Sequence, residues 1–150
     1  MTKETSDRQE RRGAGSELIT NMLAERKQLL GLLLQASSMS GESSDELDHD
    51  LLDEFCQVLV DYIAAGHFGL YERIIEGTER RKSVAKLAVN LYPLIDEATQ
   101  IALVFNEKYS ADRLNINLAQ LHKDLSVLGE SLTNRIDYED QLIQKLSELL

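Results

Sequence analysis

Apolar residues recur along this chain at three- and four-residue intervals, the spacing that stacks side chains on one face of an α-helix. Leu18, Ile19, Met22, Leu29, Leu30 and Leu33 open the pattern, and the cluster Ser37-Ser38-Met39-Ser40-Gly41 breaks it. Arg26 falls on that stripe, so its stem is expected to be buried while its head seeks an acidic partner. A second helix is predicted to start between Ser44 and Asp50, where short polar residues can cap it. It carries Leu51, Leu52, Phe55, Cys56, Leu59, Val60 and Ile63 on one broad face, with Asp53, Glu54, Gln57 and Asp61 off it. Gly66 is expected to kink or break this helix, helical character resumes from His67 to Glu76, and Gly77 ends it. Arg80 to Tyr109 reads as a third helix. Its Pro93 lacks an amide hydrogen and either kinks the helix or opens a second one. The last helix is predicted from about Leu114, with a seam of Leu114, Leu118, Leu121, Leu125, Leu128 and Leu132 continued by Ile136, Ile143 and Leu150.

Residues 1–15 have no apolar periodicity and are predicted to form a flexible arm, leaving 16–150 as one helical domain. No run of alternating β-branched residues predicts a strand. The expected fold is all-α: an antiparallel four-helix-type bundle with a kinked second helix and a proline-divided third helix. A chain of 150 residues with 43% hydrophobic and 28% charged positions is long enough to bury one core.

Charge sharpens the picture. Sixteen Lys and Arg against 26 Asp and Glu leave a formal net charge of -10, which disfavours direct nucleic-acid binding and anionic membranes and favours basic partners. The one cysteine, Cys56, excludes an intrachain disulfide, and no apolar block approaches the length of a membrane span. With no signal-peptide pattern at the start, a cytoplasmic location is expected.

Candidate chemistry is sparse. A di-iron site in a helical bundle needs paired Glu-x-x-His units, and Glu46 with His49 supplies only one. No nucleophile turn, Cys-His pair or phosphate-binding glycine loop is present, so neither an enzyme nor a bound cofactor or metal is expected. The acids are more informative: from Glu42 through Glu72 there are nine and no Lys or Arg. Glu54, Asp61 and Phe68 are spaced by seven and share one stripe if the helix runs through Gly66. Two readings follow. Phe68 belongs to the core and the acids form a solvated face, or Phe68 and the carboxylates together engage a partner by apolar burial and attraction. Pattern alone favours the first.

The run Phe55-Cys56-Gln57-Val58-Leu59-Val60-Asp61-Tyr62-Ile63-Ala64-Ala65-Gly66-His67-Phe68, followed by Tyr71-Glu72-Arg73-Ile74, resembles the central signature of the Rsd/AlgQ anti-sigma factors. The resemblance extends to Glu25-Arg26-Lys27 with Leu29-Leu30, to Tyr92-Pro93 with Thr99-Gln100, and to Leu128-Gly129-Glu130, Leu132, Arg135, Glu139-Asp140 and Leu142-Ile143. It implies a bundle that binds the C-terminal helix-turn-helix domain of the primary sigma factor of bacterial RNA polymerase. Sequestering that domain would free core enzyme for alternative sigma factors. On the signature, Asp61 and Phe68 are the implied sigma contacts, with His67, Tyr71 and Glu72 beside them. The chain departs from the family at Ala64, where Ser is common, and at Thr20-Asn21-Met22-Leu23, where relatives show Asp-Arg-Trp-Leu. Two competing readings are an adaptor for another regulatory protein, such as a phosphocarrier or metabolic regulator, and a hemerythrin-like metal sensor.

Overall fold

The computed structural model describes residues 2–39, 48–71, 82–111 and 116–148. They form four α-helices: α1 (Thr2–Ser37), α2 (His49–Gly66), α3 (Lys82–Ala111) and α4 (Leu118–Glu148). One π-helical turn, His67–Tyr71, continues α2. No strand occurs among the described residues.

The contacts show how the helices run. Along α1 and α2, Leu18 lies against Gly69 and Arg26 bonds Tyr62. Along α2 and α3, Phe55 meets Phe105 with ring centroids 5.7 Å apart, and Tyr71 meets Tyr92 at 6.4 Å. Lys108 pairs with Asp124 at 2.7 Å, whereas Leu91 shares a core cluster with Leu142. Gly129 faces Leu33, and Asp140 pairs with Arg26. In every neighbouring pair one number rises as the other falls, so the bundle is antiparallel throughout, with α1 also closing on α4.

Local signals account for the ends. The Asp48 side chain caps α2 by accepting from the Leu51 amide at 3.0 Å, and Asn117 caps α4 in the same way through the Gln120 amide at 3.0 Å. The predicted start of the last helix at Leu114 lies outside the described residues. Ser38 Oγ bonds the Leu34 carbonyl at 2.8 Å beyond the last residue of α1. That helix begins at Thr2, ahead of the start predicted from the apolar stripe at Ser16, and the Arg, Glu and Gln residues of this segment are all good helix formers. Pro93 lies inside α3 rather than dividing it. It sits on the exposed side beside Val89 and Tyr92, where the carbonyl that loses its partner stays open to water.

The core falls into two apolar clusters. The larger gathers Met22, Leu29, Phe55, Leu59, Phe105, Leu121, Leu125 and Leu128, among others. The smaller gathers Leu70, Tyr71, Val84, Ala88, Leu91, Ile95 and Leu142. Between them along α2 and α4 lie Gly66, Arg135 and Glu139, all buried. None of the helices is long and apolar enough, over the described residues, to cross a membrane.

Candidate partner surface and the polar layer beneath it

α2 turns its acids outward. Asp48, Asp50, Glu54 and Asp61 are exposed, and Asp61 accepts a hydrogen bond from Gln57 Nε2 at 3.1 Å. The π-helical turn then spreads the chain. A π turn takes up more residues than an α turn, and here it sends His67 and Phe68 outward while Gly69, Leu70 and Tyr71 go inward. Phe68 is 59% exposed, with the His67 ring edge-on to it at 5.0 Å. The core reading of Phe68 that pattern alone favours is therefore overturned. Seven residues separate Asp61 from Phe68, roughly 10 Å along the axis, so an exposed carboxylate and an exposed aromatic stand about two turns apart.

The other expected contacts separate. His67 is exposed beside Phe68. Tyr71 is 2% exposed, packs among Leu70, Val84 and Ile95, turns its ring toward Tyr92 and reaches the surface only as part of a groove lining. Glu72 lies outside the described residues, as does Glu46 of the Glu-x-x-His pair. Among the described residues no group of three or more His, Cys, Asp or Glu side chains is placed to hold a metal ion.

Sequence reasoning missed the second wall of this surface. Tyr92, Asp96 and Leu103 of α3 face the α2 side across a groove of about 340 Å³, which also takes in Val60, Ala64 and Phe68. Their spacing along α3 carries no chemical signal until α2 is placed against it.

Beneath the groove lies a buried polar layer. Arg135 is 1% exposed and Glu139 is fully buried. Tyr62 donates to Glu139 Oε1 at 2.6 Å and accepts from Arg26 Nε at 3.1 Å; Arg26 Nη1 reaches Asp140 at 2.7 Å. Arg135 Nη2 donates to the Ile63 carbonyl at 3.4 Å, and its guanidinium lies 5.7 Å from the centre of the Tyr62 ring. Burial pushes the Glu139 carboxyl above the ordinary glutamate range, against the opposing pull of Arg135, the Tyr62 hydroxyl and Arg26. Burial and the nearby Glu139 push the Tyr62 and Tyr71 phenols up as well. For Arg26, burial works against the charge, but its bonds to Tyr62 and Asp140 outweigh it and raise the pKa.

Gly66 makes room for this layer. A Cβ at that position would stand 3.0 Å from both Arg135 Nη2 and Glu139 Oε2. Met22, at one of the chain's departures from the family pattern, is fully buried and lies close to the same point. It therefore serves packing. Ala64, the other departure, is half-buried and lines the groove between Asp61 and Phe68.

Comparison with known proteins bears on the same chain length. Residues 1–147 match the family model described as regulator of RNA polymerase sigma(70) subunit, Rsd/AlgQ. A protein of Yersinia enterocolitica named "Regulator of sigma D" is 33% identical over 143 residues, covering 93% of this chain and 86% of its own. A namesake from Enterobacter sp. strain 638 is 37% identical over 140 residues, covering 89% and 82%. Another, from Yersinia pestis, is 34% identical over 143 residues, covering 93% and 85%. With its helical bundle and with residues 1–147 inside the family match, the chain belongs to the Rsd/AlgQ family.

Proposed function

We propose that this chain is an anti-sigma factor that binds the C-terminal promoter-recognition domain of the primary sigma factor. It would hold that domain away from core RNA polymerase and so favour alternative sigma factors. The reading is supported by relatives named as regulators of sigma D. The observation that carries it is the exposed Phe68 about two helical turns from the exposed Asp61, at the end of an acidic helix. A helix-turn-helix domain is basic because it meets DNA phosphates. Asp61 offers a carboxylate to a Lys or Arg of such a domain, and Phe68 with the groove wall offers an aromatic anchor, the combination that dominates interface energetics. Covering the helix-turn-helix unit removes its grip on the promoter. His67 stands beside the anchor and Glu72 follows in sequence.

Titration calorimetry of Asp61→Ala and Phe68→Ala with the isolated sigma C-terminal domain, beside urea melts, tests this directly. Both variants are expected to bind at least tenfold more weakly, a loss of about 1.4 kcal/mol or more, while the urea midpoint stays close to that of the parent. Normal binding by Asp61→Ala would remove the assigned site, and failure of the parent to bind would remove the function.

A further inference from the structure

The groove under Phe68 contains more than a docking surface requires. Its volume of about 340 Å³ falls within the roughly 300–1,000 Å³ of clefts that hold small molecules. Val60, Ile63, Ile95 and Leu103 make apolar walls, but Arg135 and Tyr71 also line it. Both are nine-tenths buried or more. Arg135 Nε and Nη1 have no hydrogen-bond acceptor among the described residues, and neither does the Tyr71 hydroxyl. Glu139 is ion-paired with Arg135 but does not satisfy these donors: its Oε1 stands 3.6 Å from Arg135 Nε, beyond hydrogen-bond range, and already accepts from Tyr62, and its Oε2 is likewise buried without a partner among the described residues. A dry guanidinium with unspent donors, beside an unspent phenol, is an arrangement that buried polar groups ordinarily avoid.

We propose that this groove binds a small amphiphilic carboxylate, its apolar body between α2 and α3 and its head accepting hydrogen bonds from Arg135 and Tyr71. A guanidinium can only donate, so the head must accept, and the positive charge of Arg135 favours an anionic acceptor over a neutral one. The one carboxylate lining the groove, Asp96, is exposed to water, where its repulsion is screened. A singly charged carboxylate loses less hydration in a narrow, mostly apolar cleft than a doubly charged phosphate would. The proposal goes beyond sigma binding and does not depend on it.

Decanoate, decanol and decyltrimethylammonium, each kept below its aggregation concentration, would be titrated into the full chain by calorimetry. Nitrogen-15 spectra would follow the Arg135 Nε–H resonance. Decanoate is expected to bind one to one, at least tenfold more tightly than either analogue, and to shift that resonance. Tyr71→Phe is expected to weaken decanoate at least threefold without lowering the urea midpoint. Ala64→Phe, which fills the groove from a half-buried position on its wall, is expected to abolish binding. Equal affinity for decanol or the ammonium, no decanoate binding, or full affinity in both variants would overturn the proposal. No sigma factor enters the experiment, so its failure leaves the sigma reading standing.

Discussion

Two glycines on neighbouring helices show how surroundings set the value of one residue. Gly31 on α1 is exposed, and a Cβ there would meet nothing within 4 Å. Gly31→Ala is therefore expected to stabilise the protein by ~0.5–1 kcal/mol through helix propensity. Gly66 would gain the same propensity, yet its Cβ would press on Arg135 and Glu139 at 3.0 Å. Both are held in the polar layer and cannot swing into solvent. Gly66→Ala is expected to cost about 1–3 kcal/mol, and urea melts of the two variants check the opposite signs. Glu139 carries a second consequence. Because burial raises its carboxyl pKa, the folded chain holds a proton in a window where the unfolded chain has released it. The unfolded glutamate titrates near ~4.3. From there up to the folded value, the native state binds more protons, so stability falls as pH rises through the window. Asp124 behaves oppositely. Burial opposes its charge, but bonds from Lys108, Tyr109 and Gln120 prevail and lower its pKa, so its contribution is lost on acidification below about pH 4. Glu139→Gln is expected to flatten the decline above that value, as read from urea midpoints at a series of pH values.

The last helix places charge where a bundle normally places leucine. Apart from Ser131, its buried positions Leu118, Leu121, Leu125, Leu128, Leu132, Arg135, Glu139 and Leu142 follow one alternation of three- and four-residue steps. The seam predicted from apolar residues alone turns aside at Ile136 and Ile143, both only half-buried. Hydrophobicity misled because Arg135 and Glu139 are four apart, a spacing that ordinarily marks an exposed ion pair. The clue available in the sequence was the heptad phase itself, which points straight at them. Removing one member leaves an uncompensated buried charge, so Glu139→Ala is expected to cost about 3–5 kcal/mol. Replacing both, as Arg135→Met with Glu139→Leu, is expected to restore parental stability or exceed it by roughly 1–4 kcal/mol. If the double variant stayed as unstable as the single one, the layer would be contributing packing that apolar side chains cannot supply. α2 gives the complementary case: Asp48 as cap, the apolar face and the outward acids all follow from local pattern.

Across the molecule, the net charge of -10 acts through where the acids lie. Asp48, Asp50, Glu54 and Asp61 are exposed along α2, on the helix that leads to Phe68. A basic domain docking there would be drawn in by a field that falls off over ~8 Å at physiological ionic strength. Its affinity is accordingly expected to drop steeply with added salt, chiefly through slower association. Calorimetry across a salt series checks this, and a flat response would assign the interface to apolar burial alone. Phe68 is one of several large apolar residues left exposed, Leu34, Val89 and Val104 among them. Exposure by itself therefore distinguishes nothing. Its neighbours do: the groove, the edge-on His67 and the carboxylate two turns away.

Helix number, the capping of α2, the buried stem of Arg26 and the acidic face were all readable in the sequence, because each depends on contacts within a few residues or on periodicity along one helix. Even the head of Arg26 was foreseeable in kind, although not its partners, Tyr62 and Asp140. Tertiary structure alone decided that Phe68 faces out and Tyr71 in, since one π turn changes which residues meet the core without changing the pattern of residue types. It alone joined α3 to α2 as a groove and gathered Arg26, Tyr62, Arg135 and Glu139 from three helices. Burial of a polar group is a property of everything packed around it, and no single helix contains that information.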